Sequence, residues 1–313
     1  MNTLKNLVIY HSNCLDGTGS AWVAAQYLPK EETEYVPVHY GEDLGAQIPV
    51  REYKEMTLYI LDWCPNMDDL DKCCMMFKRI VLIDHHESAI KKIIAHYDKS
   101  STQKNLEMLL AYENEWSGAM GTALWFEEHL DSDEESLSQH WLIKAIDDRD
   151  RWKFLLPDTE AINEGLFELG VKLEDWLEHP MNGATKDNLV NIGTVLLKKK
   201  KQQVAQIIEA AASTVDRIAI CNCPYFLASD VGNVLAKDAR IAILWYVGSD
   251  GDLKVSFRSN KETEGWVNCS VIASQFKGGG HANAAGCSFP EEDAMPVNAQ
   301  IGRIVAAVYN LSK

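Results

Sequence analysis

The sequence predicts an α/β protein in two parts: a parallel-sheet domain, then a smaller α/β C-terminal domain, joined by a long helix or linker. Three observations carry this reading. Short apolar runs alternate with helix-period stretches through the first hundred residues. One helical pattern covers Asp187–Ala212. Strand patterns then return from Val215 and lead into a glycine-rich segment and a last helix. The expected boundaries are 1–190, a linker helix over 191–214, and 215–313. At about 150 residues per domain, a length of 313 residues suits two.

Each element follows from its pattern. Leu7–Tyr10 is apolar and strand-length. Gly17–Leu28 spaces its apolar residues as a helix does, and Glu34–Tyr40 alternates as a strand does. Thr57–Leu61 and Arg79–Ile83 are β-rich runs, with a helical stretch, Asp68–Phe77, between them. Ser117–Leu130 and Glu134–Ile146 each show one apolar helical face, and the second runs into Asp147, Asp148 and Asp150. Residues 153–183 are mixed and punctuated by Pro157, Pro180 and Gly183. Beyond the long helix, Arg217–Cys221, Arg240–Val247 and Leu253–Phe257 read as strands, Gly278–Gly286 as a glycine-rich loop and Ala299–Leu311 as a helix.

Composition narrows the function classes. Lys and Arg number 30 against 46 Asp and Glu, a net charge of −16. Sequence-independent affinity for nucleic acid comes from clustered cations, so long nucleic acids and anionic membranes are excluded as partners. A small phosphate-bearing ligand remains compatible if a metal or a local basic pocket supplies positive charge. Lys198–Lys201 reads as the solvated face of a connecting helix. No apolar run approaches the roughly 18–20 residues that span a bilayer; the longest is about Ile241–Val247. Met1–Tyr10 runs into His11, Asn13 and Asp16 without a small-residue cleavage site, so it reads as a first strand rather than a signal peptide. None of the eight cysteines forms a Cys-x-x-Cys pair. Reduced thiols and a cytoplasmic location are expected.

In a parallel sheet, ligands sit beyond the carboxyl ends of the strands. There the sequence places His11 and Asp16, then Asp62, then Asp84, His85 and His86. Adjacent histidines alone are more often surface loop residues. Three strands delivering acids and imidazoles to one edge are a different matter. With Asp148 at a helix end, they form the donor set of a two-metal hydrolytic site, and mixed imidazole and carboxylate suit Mn²⁺ or another first-row divalent ion. The second signal is Gly278-Gly279-Gly280-His281, followed by Ala282–Gly286. Consecutive glycines let backbone N–H groups approach an anion, although the run lacks the Lys-Ser/Thr of a Walker loop and could be only a turn.

Together these strings resemble the DHH phosphoesterase superfamily in its two-domain form with a C-terminal DHH-associated domain. His11–Ala21 is similar to the first motif, Leu61-Asp62 to the second, Asp84-His85-His86 to the third, and Asp148 within Ala145–Trp152 to the fourth. Arg258-Ser259 and Gly278–Gly286 are similar to the substrate-binding strand and GGGH loop of the associated domain. The resemblance implies a catalytic metal-binding domain with one or two Mn²⁺ ions, Mg²⁺ or Co²⁺ being possible substitutes. It implies His11, Asp16, Asp62, His85 and Asp148 as ligands, with Asp62 bridging. His86 would ligate or contact phosphate, and Asp84 would orient an imidazole. Arg258, Ser259, Gly278, Gly279, Gly280 and His281 would bind substrate.

One departure stands out. The family commonly has His-x3-Asp-x-Asp in its first motif; here the spacing from His11 to Asp16 is one longer, and Thr18 stands where a second carboxylate is often found. Asp16 would serve either metal position, with Asn13, Thr18 or water completing the other. Asp147, Asp148 and Asp150 compete for the fourth-motif role, and alignment favours Asp148. The expected activity is hydrolysis of very short oligonucleotides or dinucleotides such as pGpG to mononucleotides, by metal-activated water. The related alternatives are a cyclic-dinucleotide phosphodiesterase, a bisphosphorylated-nucleoside phosphatase and an exopolyphosphatase. A nucleotide-binding sensor is the non-enzymatic alternative. The partner is a small nucleotide substrate, and a homodimer is left open.

Overall fold

The computed structural model describes residues 4–39, 44–48, 52–97, 104–112, 115–130, 136–291 and 295–311. The chain divides into two units, Met1–Leu197 and Lys198–Lys313. The first alternates strand and helix: β1 (Asn6–His11), α1 (Leu15–Tyr27), β2 (Thr33–Val38), α2 (Leu44–Gln47), β3 (Thr57–Leu61), α3 (Met67–Met76), β4 (Arg79–Asp84), α4 (Glu87–Tyr97) and β5 (Leu106–Leu110). These strands form one all-parallel sheet in the order β2-β1-β3-β4-β5. Four helices follow: α5 (Gly118–His129), α6 (Trp141–Asp150), α7 (Thr159–Leu169) and α8 (Leu173–Leu177).

The central strands are buried on both faces, which is why they read as continuous apolar runs. Val8, Tyr10, Leu61, Val81 and Ile83 pack with α1 and α5–α8, including the fully buried Phe126 and Trp176. Leu7, Ile9, Leu58, Ile60, Ile80 and Leu82 point the other way and pack against Leu70, Cys73, Ala89 and Ile93 of α3 and α4. Asn66 caps α3 by accepting the Asp69 N–H at 2.9 Å.

The long helix α9 (Gly183–Ala211) contains the boundary between the units. The second unit then adds β6 (Ala212–Val215), β7 (Ile218–Asn222), α10 (Ala228–Leu235), β8 (Ile241–Val247), β9 (Leu253–Arg258), α11 (Cys269–Ser274), β10 (Gly279–Gly280), β11 (Ala284–Phe289) and α12 (Val297–Asn310). Its six strands form a mixed sheet in the order β10-β11-β9-β8-β7-β6, with only β7 and β8 parallel. One face, with Ile241, Ile243, Val255 and Phe257, packs against Ile272 and Ile304; the other, with Ala242 and Leu244, packs against Val231 and Val204. All eight cysteines are free thiols. Among the described residues no helix is long and apolar enough to cross a membrane.

The fold class is as expected, and two elements differ. The helix expected over Glu134–Ile146 begins only at Trp141, after a 3-10 turn at Leu137–Gln139. The Glu127 carboxylate accepts the Ser136 hydroxyl at 2.9 Å and the Ser138 N–H at 2.7 Å, holding that segment out of the helix. The glycine-rich stretch is not a loop: Gly279 and Gly280 pair with Gly286 and Ala285, and β11 continues along β9. Tyr40, Glu134 and Glu135, which the expected elements included, lie outside the described residues.

Candidate active site

Tyr10 pairs with Leu61, and Leu61 with Ile83, so β1, β3 and β4 end level. His11, Asp62 and Asp84 therefore leave the sheet at one edge. The order β2-β1-β3 makes the gap between β1 and β3 the point where connections diverge, and in open α/β sheets that is where a crevice forms. Asp62 turns there with a left-handed φ of 54°, which Asp tolerates better than most residues.

Asp62 is 1% exposed. Its Oδ1 lies 3.1 Å from His85 Nε2 and its Oδ2 lies 3.4 Å from His11 Nδ1. Burial alone would raise its pKa. Hydrogen bonds from His11 and His85, with the charges of His86 and His85, outweigh burial and hold it well below the carboxylate range. The same His85 nitrogen lies 3.3 Å from Asp16 Oδ2 and 3.6 Å from Asp150 Oδ2. Burial disfavours protonation of His85, but Asp150, Asp16 and Asp62 together keep its pKa well above the usual value.

Asp16, near the start of α1, is fixed from below. The N–H groups of Gly118 and Ala119 at the start of α5 donate to its two oxygens at 2.6 and 2.8 Å. Gly118 has to be glycine, because a Cβ there would sit 2.5 Å from the Cβ of Asp62. The helix N-terminus thus lies directly under two carboxylates, where its dipole favours negative charge. Even so, burial, Asp62 and Asp150 push Asp16 up to about 7, against the lowering effect of His85. Asp84, wholly buried, turns one oxygen to Nδ1 of His86 at 2.7 Å and to the backbone N–H groups of His85 and His86.

Three overlapping groups could hold metal ions: His11, Cys14 and Asp62; Asp62, His85 and His86; Asp16, His85 and Asp150. Within each, one ligand atom per residue lies within 4.8 Å of the others. Asp62 and His85 each belong to two groups. Oδ2 of Asp62 is buried, with the His11 ring nitrogen 3.4 Å away. Three carboxylates around one imidazole nitrogen concentrate negative charge that a divalent cation would neutralise, and the mixed donor set suits first-row ions.

The sequence candidates His11, Asp16, Asp62, Asp84, His85 and His86 all meet here. Asp148 does not. Its oxygens accept from the N–H groups of Leu155 and Leu156 at 2.8 and 3.0 Å and from the Thr159 hydroxyl at 2.7 Å. These bonds outweigh burial and lower its pKa. Asp150, two residues and about 200° further round α6, turns toward His85 instead. Asp147 is also occupied, by the Ser117 N–H at 2.8 Å and by Arg151 at 2.9 Å. Thr18 is fully buried and donates to the Val171 carbonyl at 2.8 Å, so it is not at the cluster. Cys14 was missed. It is the residue before α1, reached through Asn13 at φ 52°, and burial, then Asp62, Asp16 and Asp150, push its thiol pKa well up. The helix over Ser117–Leu130 was read, but no site role was assigned to the Gly118 and Ala119 amides at its start.

In the second unit, Arg258 lies along α10, its side chain against Gly232. It donates to the Phe257 carbonyl and the Ser229 hydroxyl, both at 2.8 Å, and among the described residues it forms no ion pair. Ser259 is 4% exposed and shares its hydroxyl with the Cys269 thiol and the Ala282 carbonyl, so it faces the interior rather than a ligand. The glycines serve close strand packing: a Cβ on Gly278 would meet the Gly286 carbonyl oxygen at 2.1 Å, and Gly280 has φ 135°. The Gly278 N–H donates to the Ala273 carbonyl at 2.9 Å, which removes it from an anion cradle. The His281 N–H donates to the Ala284 carbonyl at 2.7 Å, closing the hairpin.

Comparison with known proteins agrees with this architecture. Residues 227–307 match the DHHA1 domain family. The chain is 24% identical over 303 residues to an uncharacterized protein of Acanthamoeba polyphaga mimivirus, covering 91% of this chain and 67% of that protein. It is 25% identical over 313 residues to the oligoribonuclease NrnB of Bacillus subtilis (strain 168), covering 91% of this chain and 73% of that protein. An exopolyphosphatase-related protein from Bacteroides fragilis has the same fold, with a TM-score of 0.56 at 12% identity over 99% of this chain and 92% of that one. Over the whole chain, the likeness to these proteins is one of fold and of partial sequence identity. Its second unit carries the DHHA1 domain.

Proposed function

We propose that this protein is a divalent-metal-dependent phosphodiesterase that hydrolyses very short oligonucleotides, dinucleotides such as pGpG included, to mononucleotides. The observation that supports it most is Asp62, a carboxylate shared by two candidate metal groups at the mouth of a parallel sheet. Asp62, His11 and His85, with Asp16 and Asp150, would hold the ions. Bound divalent cations supply Lewis acidity toward a phosphoryl oxygen and lower the pKa of water. The chain's own residues do the rest. The α5 N-terminus and Asp84 hold Asp16 and His86 in fixed orientations. Asp84 holds Nδ1 of His86 and raises its pKa, so the imidazolium, protonated on both nitrogens, can donate from Nε2 to a phosphate oxygen. Arg258, half-buried and hydrogen-bonded to neutral groups, would bind an anionic group.

Similarity to an oligoribonuclease and a net charge of −16 both favour short substrates over long strands. The mixed imidazole and carboxylate set suits Mn²⁺ or another first-row divalent ion, and free thiols suit a reducing cytoplasm. The test is a turnover screen with added Mn²⁺ over dinucleotides, longer oligoribonucleotides, bisphosphorylated adenosine, cyclic dinucleotides and pyrophosphate. Dinucleotides should be consumed fastest. Faster cleavage of long strands at equal molarity would overturn the substrate reading, and nucleotide binding without turnover would favour a sensor.

A further inference from the structure

We infer that Cys14 is a thiolate ligand for a divalent cation seated among Cys14, His11 and Asp62, giving that position a preference for thiophilic ions. This rests on reading the cluster as a metal centre, and it assigns one position a chemistry that an oxygen-and-nitrogen set would lack.

The geometry is specific. One ligand atom each from Cys14, His11 and Asp62 lies within 4.8 Å of the other two. A Zn–S bond and a Zn–N bond laid end to end span about 4.3 Å, so small side-chain rotations close the triad on one ion. The oxygen of Asp62 nearest His11, Oδ2, is buried and lies 3.4 Å from His11 Nδ1. The hydroxyl and amide candidates for this position fall away. Thr18 donates to the Val171 carbonyl, and Asn13 is exposed, turning the chain so that Cys14 follows it. Cys14 is also the one cysteine found in a metal-capable group among the described residues.

The chemistry balances simply. The sulfur–metal bond forms as the S–H bond breaks, and the proton passes to solvent. Thiolate favours Zn²⁺, Co²⁺ and similar ions, whereas Mg²⁺ requires oxygen donors. The position holding Asp16, His85 and Asp150 has no sulfur, so the two positions should differ in ion preference.

Anaerobic titration of the metal-free, full-length protein with Co²⁺ tests this. The wild type should develop visible d–d absorption together with a near-ultraviolet sulfur-to-cobalt charge-transfer band. Cys14→Ser should keep visible absorption, lose the near-ultraviolet band, and bind one Co²⁺ more weakly by about tenfold or more, at least the loss expected for an outer partner of a ligand. A band that persists in Cys14→Ser, or never arises in a wild type that binds Co²⁺, overturns the thiolate assignment and leaves the metal centre standing. A wild type that binds no Co²⁺ overturns both. Should Cys14→Ser not fold, alkylation of the wild type mapped by peptide mass spectrometry replaces it. Zn²⁺ should protect Cys14 where Mg²⁺ does not, and equal labelling with and without Zn²⁺ overturns the inference.

Discussion

Nδ1 of His86 lies 2.7 Å from Oδ1 of Asp84, the same oxygen that receives the backbone N–H groups of His85 and His86 at 2.8 and 3.1 Å. One buried oxygen thus fixes both the turn and the ring that follows it. Burial lowers the pKa of His86, but the charge and hydrogen bond of Asp84 reverse this and raise it. Asp84→Asn keeps the shape and removes the charge. Turnover should fall about 10–100-fold, as for other partners behind a ligand or phosphate-binding imidazole. Metal content should be retained, and the His86 titration seen by NMR should move down. Unchanged kcat would show that the ring needs no carboxylate behind it.

Asp148 and Asp150 should separate cleanly. Asp150→Asn should lower metal content and turnover while leaving the urea midpoint near that of the wild type. Asp148→Ala should retain metal but lose stability by about 1–3 kcal/mol, because two backbone N–H groups and the Thr159 hydroxyl lose their buried acceptor. Metal analysis paired with urea denaturation checks both. Metal loss in the Asp148 variant with no loss of stability would restore the fourth-motif alignment.

Without metal, stability should fall as pH rises. Asp16 holds its proton to about 7 when folded, against about 3.9 for a free Asp. The folded state therefore binds more protons between those values. The resulting stability is complete below the free pKa and disappears as pH rises through about 7. The raised pKa of His85 acts in the same direction and extends the loss to higher pH. The depressed pKa of Asp62 has the opposite sign, but its effect is confined to acid below the free Asp value. The chelated protein should thus resist urea better near pH 5 than near pH 8. Asp16→Asn should shrink that difference. A stability that rises over the same window would contradict the assignment.

Arg258→Ala should weaken binding of a dinucleotide by about 1.5–3 kcal/mol, the range for a charged hydrogen bond, with metal content unchanged. Loss of packing against Gly232 would act on stability instead, so the urea midpoint is measured alongside KM. Wild-type KM in a destabilised variant would make Arg258 a packing residue of α10 and β9.

The parallel sheet was legible because Leu7–Tyr10, Leu58–Leu61 and Ile80–Ile83 are buried on both faces and break off abruptly into His and Asp. Most candidates in the cluster follow from that break. Asp150 did not, because choosing among three neighbouring acids needs the rotation of α6 and the loop that closes on Asp148, which depends on Leu155, Leu156 and Thr159. Cys14 did not, because its neighbours His11 and Asp62 come from different strands and a cysteine before a helix carries no local signal. The glycine run needs small residues because Gly286 and Ala284 face it across a hairpin, a pairing the run alone does not reveal.

The bond from the Gly118 amide to Asp16 joins residues 102 apart in the chain. His11, Cys14, Asp16, Asp62, His85 and His86 all precede α5, while the amides under Asp16 and the carboxylate of Asp150 arrive only with α5 and α6. As the chain emerges from the ribosome, a partial set of donors exists before the helix that orders it. Closing so long a loop is slow relative to local helix formation. The geometry of the candidate site is therefore completed late, only when α5 and α6 dock under strands that are already made.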